Sequence, residues 1–154
     1  MEDSDLEYAG FWVRAGATII DSILLAVITF PILVSIYGWQ YFESTAFIAG
    51  PADFLISWIL PAVAVIWFWI NKQATPGKMA LSMRVVDAGS GANLNLGQSI
   101  GRYLAYLISM IPLGLGLAWV GFDSRKQGWH DKLANTVVVR TKNRGPNPVH
   151  FPQA

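Results

Sequence analysis

The chain has 154 residues, 53% of them hydrophobic and 14% charged, and its mean hydropathy of +0.40 is too high for an ordinary soluble domain of this size. A formal net charge of +1 argues against the broad basic surface with which a nucleic-acid binder neutralises phosphates, so nucleic acid is not an expected partner. The absence of cysteine excludes disulfides, thiolate metal sites, a cysteine nucleophile and a lipoprotein anchor. Together these bounds predict a small all-α integral membrane protein.

The first ten residues, "MEDSDLEYAG", read as an acidic N-terminal tail. A signal peptide would be basic here and its apolar region shorter, so the run that follows is expected to stay as a membrane anchor. Residues 15–37 contain one strongly polar side chain, Asp21, and as a helix reach roughly 35 Å, enough to cross a hydrocarbon core of about 30 Å. Pro31 is expected to kink this span. "YGWQYF", residues 37–42, supplies an aromatic belt where it leaves the bilayer. A loop to about residue 53 precedes a second span at 54–70, with a further kink expected at Pro61.

Residues 71–98 change character. The turn-rich "NKQATPGK" and the two short strand-like runs around Gly89, Ser90 and Gly91 predict a small β-hairpin outside the membrane. "GQSIG", residues 97–101, has the spacing of a close helix contact. The third apolar segment, 98–124, is interrupted by "PLGLG" at 112–116, a poor centre for a straight helix. It divides into half-helices at about 98–111 and 115–124. In the first, Ile100, Tyr103, Leu104, Leu107, Ile108 and Ile111 form an apolar stripe opposite Ser99, Arg102, Tyr106 and Ser109. The last strand-like run is "TVVVR", and residues 141–154 are too rich in Pro and Asn to be expected to fold.

The distribution of basic residues predicts topology. None of the 11 Lys and Arg lies between residues 38 and 53, whereas Arg125, Lys126, Lys132, Arg140, Lys142 and Arg144 follow the third segment. With that loop outside, a third full span would carry the basic cluster outside too. A re-entrant or interfacial helical hairpin keeps it inside. Both termini are then cytoplasmic, and "MRVVD" and "TVVVR" share one side, where they can pair as a small cytoplasmic sheet.

The candidate chemistry lies in charges near the first span. Arg14 and Asp21 share a helix face but are separated by about 10 Å along the axis, so they do not neutralise each other. Arg14, beside Trp12, can snorkel to lipid phosphates. A carboxylate at Asp21 carries an insertion cost of roughly 2.5 to 3.5 kcal/mol at mid-helix, and must be protonated, paired or facing a wet cavity. Arg102 is its candidate partner. Thr18 and Ser22 place hydroxyls beside it, which suit a small hard cation as well as helix-to-helix bonding. "TPGK" lacks the rest of a phosphate-binding motif and reads as a turn, and "GLG" at 114–116 follows no strand. His130 beside Asp131 reads as a cap or ion-pair residue rather than a metal ligand. No Ser-His-Asp set converges. Neither an enzyme nor a cofactor is expected.

"FWVRAGATIIDSILL", "TPGKMALSMRVVDAGSGANLNLGQSIGRYLAYL" and "PLGLGLAWVGFDSRKQGWHDKLANTVVV", in this order over residues 11–140, resemble the RDD family of small bacterial membrane proteins. By position the naming arginine matches Arg14 and the first aspartate Asp21. The second matches Asp131, with Asp123 as the alternative. Members commonly read "AGT" where this chain has Ala134, Asn135 and Thr136. The resemblance implies a bacterial cytoplasmic (inner) membrane protein, and sodium or potassium for proton antiport has been suggested for some members. Two functions are therefore expected as rivals. One is cation/proton transport through Asp21 in a homo-oligomer; the other is a non-transporting scaffold or accessory protein, bound to a membrane partner, whose Arg/Asp triad is structural.

Overall fold

The structure, a computed structural model, describes residues 6–112 and 114–141. Most of the acidic tail and the Pro-rich tail from residue 142 lie outside the described residues. Helix α1 (Phe11–Tyr37) runs unbroken through Pro31. After a 3-10 turn at Trp39–Glu43, a second long helical run covers Pro51–Lys72. It is built from α2 (Pro51–Phe54), a π-helical turn (Leu55–Ile59) and α3 (Leu60–Lys72). Pro61 cannot donate to the carbonyl one turn earlier, and the widened turn that immediately precedes it, with Leu60 N–H bonded to Leu55 O, absorbs the mismatch. Both runs are long and apolar enough to cross a membrane. Their side chains face outward, with Ile19 61% and Val27 66% exposed, the inverse of a water-soluble helix.

At the opposite end of these helices from the 38–50 loop sits a three-stranded antiparallel sheet in the order β1-β3-β2. As the sequence predicts, β2 (Met83–Asp87) pairs with β3 (Thr136–Thr141), Val85 opposite Val138. Two expectations are corrected. The stretch after Gly91 is not a second hairpin strand: Asp87 gathers the amides of Gly89 and Ser90 at 2.9 Å, and the chain leaves as a turn. The missing third strand is Leu6–Tyr8 (β1), from the segment read as an acidic tail, which pairs with β3 so that Glu7 lies opposite Arg140.

The valine run explains why β3 is central. Val137 and Val139 face one apolar cluster with Leu6, Tyr8 and Val86. Val138 faces the other, with Val85, Met83, Ala17 and Trp69. A strand covered on both faces needs a continuous β-branched run rather than alternation. The second cluster is the junction with the membrane helices, because Ala17 belongs to α1 and Trp69 to α3.

The short α4 (Pro76–Ala80) connects α3 to β2. Helix α5 (Leu96–Met110) starts in a capping box, with Asn95 accepting from Gln98 N–H at 2.8 Å, and Gln98 donates to Asp87 of β2 at 2.7 Å. At Pro112 and Gly114 (φ +77) the chain turns sharply, by 112°, into α6 (Leu115–Ala118) and a 3-10 turn (Trp119–Gly121). Both outer ends of this bent pair lie against the sheet: α5 begins beside Asp87, and past Gly121 Arg125 donates to Tyr8 OH at 3.2 Å. The two stripes are largely as predicted: Leu104 and Ile111 are exposed, whereas Ser99, Arg102 and Ser109 are fully buried on the side of α5 that packs on α7 (Trp129–Ala134); Tyr103 departs from the apolar stripe by packing against the Trp69 cluster. The close helix contact expected at "GQSIG" is absent, since a Cβ on Gly101 would meet nothing within 4 Å. The close approaches fall instead at Gly77, against Ala17 O of α1, and at Gly116, against Ser109 of α5.

Candidate functional site

The first turn of α1, the middle of α5 and the first turn of α7 converge on Asp131, which is fully buried. Arg14 donates through Nη1 to Asp131 Oδ2 at 2.5 Å, through Nε to Ala9 O at 2.9 Å, and through Nη2 to Lys126 O. Arg102, also fully buried, donates through Nη1 to Asp131 Oδ1 and to Thr136 Oγ1. Its guanidinium lies over the rings of Trp69 at 5.2 Å and Tyr106 at 5.5 Å. Asp131 also accepts from Gly128 N–H at 2.9 Å, which closes the first turn of its own helix. One carboxylate thus neutralises one of two buried guanidiniums and satisfies donors from three elements. Burial alone would raise the Asp131 carboxyl; Arg102 and Arg14 outweigh it and hold it well below the ordinary carboxylate range.

This geometry corrects two expectations. Arg14 does not snorkel to lipid but turns inward, because a buried anion 117 residues away in sequence, Asp131, sits within reach of its first-turn position. Arg102 belongs to Asp131 rather than to Asp21. Asp123, the alternative second aspartate, pairs with Lys132 at 2.8 Å and accepts from the amides of Arg125 and Gln127, so it shapes the 123–128 loop and touches neither arginine. His130 stacks on Tyr106 with ring centres 4.0 Å apart. Neither ring nitrogen has a hydrogen-bond partner among the described residues. Burial, reinforced by Arg102, Arg14 and Lys78 against the pull of Asp131, lowers its pKa to about 3, so it is neutral. No group of three His, Asp or Glu side chains converges among the described residues.

Asp21 has a separate environment. It accepts from Thr75 Oγ1 at 2.5 Å and from Gly77 N–H at 2.6 Å. "TPGK" is therefore not a free turn but the start of α4, with Thr75 as the residue before the helix and an otherwise unpaired backbone amide offered to the carboxylate. Gly77 is required there, because any Cβ would lie 2.1 Å from Ala17 O. The signal was present in the sequence: Thr-Pro-Gly marks a helix start whose amides need an acceptor. Thr18 and Ser22 do line the same groove as Asp21, but the Thr18 hydroxyl donates back to Arg14 O at 3.0 Å. That groove, about 330 Å³, lies between α1 and α3 and also receives Lys78 and Tyr106. Lys78, only 6% exposed, was missed by sequence reading, which had no reason to bury it.

One family position departs from expectation without changing the fold. Asn135 ends α7 in the left-handed region (φ 53, ψ 51), the conformation glycine adopts freely and asparagine better than most residues.

The sequence model of the RDD family matches residues 8–135. The uncharacterized protein YxaI of Bacillus subtilis (strain 168) is 30% identical over 154 aligned residues, covering 85% of this chain and 96% of that protein. The uncharacterized membrane protein YteJ of the same strain is 27% identical, covering 88% and 82%. RP437 of Rickettsia prowazekii (strain Madrid E) is 41% identical over a shorter stretch, 49% of this chain and 42% of that protein. No solved structure matches. With two membrane-length helices whose apolar sides face outward and a family match over most of its length, the chain is an integral membrane protein of the RDD family.

Proposed function

We propose that this protein is a non-transporting scaffold of the bacterial cytoplasmic membrane, which holds a cytoplasmic three-stranded sheet in a fixed pose against two spans and presents it to a membrane protein partner. The observation that carries this reading is the buried Arg14–Asp131–Arg102 cluster, in which two family residues are consumed by ties between α1, α5 and α7. In this reading α5 and α6 form a re-entrant or interfacial hairpin; the return of both its ends to the sheet supports it. Lys72, Arg84, Arg125, Lys126, Lys132 and Arg140 belong to the segments at the sheet end, and the positive-inside rule supports a cytoplasmic placement of that end. Single cysteines at positions 45 and 90 test the orientation: reagent added outside should label the first and not the second.

A second reading, sodium or potassium for proton exchange at Asp21 in a homo-oligomer, is favoured by one observation: Asp21 opens on a groove with Thr18 and Ser22. PH-gradient dissipation in proteoliposomes on adding sodium, potassium or lithium separates the two. The scaffold reading expects no cation-dependent dissipation from folded wild-type protein. Dissipation that is lost in a folded Asp21→Asn variant would replace it with antiport.

A further inference from the structure

The groove between α1 and α3 has two chemically distinct ends. Its long wall is apolar: Leu24, Leu25 and Ile28 from α1 face Ala64, Val65 and Phe68 from α3. At the sheet end stand Asp21 and Lys78, with Trp69 and Tyr106 behind them. Arg102, which lies over those two rings at 5.2 and 5.5 Å, is not itself part of the groove wall.

Lys78 is 6% exposed and forms no ion pair among the described residues, with Asp21 or with any other carboxylate. Lys78 lines the groove with most of its side chain buried and no carboxylate paired with it among the described residues, and an anionic group in the groove would supply the counter-charge. Asp21 offers the converse. A carboxylate has about four acceptor positions, and Thr75 and Gly77 occupy two, which leaves room for a donor arriving from the groove. Along α1, Thr18 to Ile28 measures about 15 Å, the depth of one hydrocarbon leaflet, half of about 30 Å. The polar end lies toward the sheet and the apolar wall runs toward mid-membrane, which is the orientation of a lipid.

We propose that this groove binds one glycerophospholipid with a primary-ammonium headgroup, its phosphate on Lys78, its ammonium on Asp21 and an acyl chain along the Leu25–Ala64 wall. This goes beyond the scaffold reading and does not depend on it. The recognition discriminates by chemistry: a trimethylated headgroup has no N–H to donate to Asp21, and a glycerol headgroup has no cation.

The test uses the purified full chain in mixed micelles holding equal amounts of dioleoyl phosphatidylethanolamine, phosphatidylcholine and phosphatidylglycerol, with retained lipid read by native mass spectrometry. One phosphatidylethanolamine per chain is expected, favoured by roughly tenfold over each competitor, as for one charge-assisted hydrogen bond. Ala64→Phe, which fills the groove wall without touching a charge, should abolish that preference while the circular dichroism spectrum stays unchanged. Lys78→Gln should reduce retention by roughly tenfold. Equal retention of the three lipids, preference for phosphatidylglycerol, unchanged selectivity in Ala64→Phe, or a lipid-free dimer with a second copy in the groove would each overturn the proposal.

Discussion

Arg14 and Asp21 lie on one helix, yet the two regions they serve are built on opposite principles. Around Arg14 charge is closed off: three ionised side chains, two of them from distant parts of the chain, are packed together and buried. Around Asp21 charge is left open, with two hydrogen bonds to α4 and a groove on the remaining side. A polar family residue in a membrane helix is therefore not evidence of transport in itself. What matters is whether its partners saturate it. Asp131 is saturated, and its removal would be felt as instability; Asp21 is not, and its groove is where a ligand can compete.

The largest effect is expected at Asp131. Asp131→Asn leaves two guanidiniums buried without their counter-charge and should cost about 3–5 kcal/mol, seen as loss of folded yield in detergent. A variant that retained wild-type thermal stability would show that the cluster is not the joint between sheet and membrane helices. Next in size, Gly77→Ala forces a Cβ into Ala17 O and should cost about 1–3 kcal/mol as overpacking, whereas Gly101→Ala, with open space around it, should stabilise by up to about 1 kcal/mol through helix propensity. Thermal midpoints of the two variants should move in opposite directions. If both fell, "GQSIG" would be a contact after all.

A smaller effect is expected from pH. The His130 pKa of about 3 lies below its ordinary value of 6.5, so the unfolded chain binds the proton more readily than the folded one. The corresponding stability is complete above about pH 6.5 and is lost as pH falls towards 3; the lowered Asp131 carboxyl adds a loss of the same sign at the acid end. His130→Phe keeps a ring on Tyr106 and removes the titration, so the drop in thermal midpoint between about pH 7 and about pH 4 should shrink. An identical drop would place the acid sensitivity elsewhere. The smallest effect belongs to the lipid-facing surface. Val27→Leu, on a 66% exposed apolar position, should change stability by less than about 0.5 kcal/mol, and a larger loss would point to a helix packed there.

The features legible in the sequence rest on local and one-dimensional physics. The two spans were legible because crossing a hydrocarbon core requires an uninterrupted apolar length. The break at "PLGLG" was legible because proline and glycine act on the backbone where they stand. The β2–β3 pair and the polar stripe of α5 followed from strand-like runs and helical period. The strand Leu6–Tyr8 was hidden because acidic residues around it mask a segment whose only warrant is the free edge of β3. The partners of Arg14, Arg102 and Asp21 were decided by the tertiary structure alone: a charge in a sequence has a sign but no address, and which opposite charge or amide reaches it depends on how α4, α5 and α7 fold back onto α1.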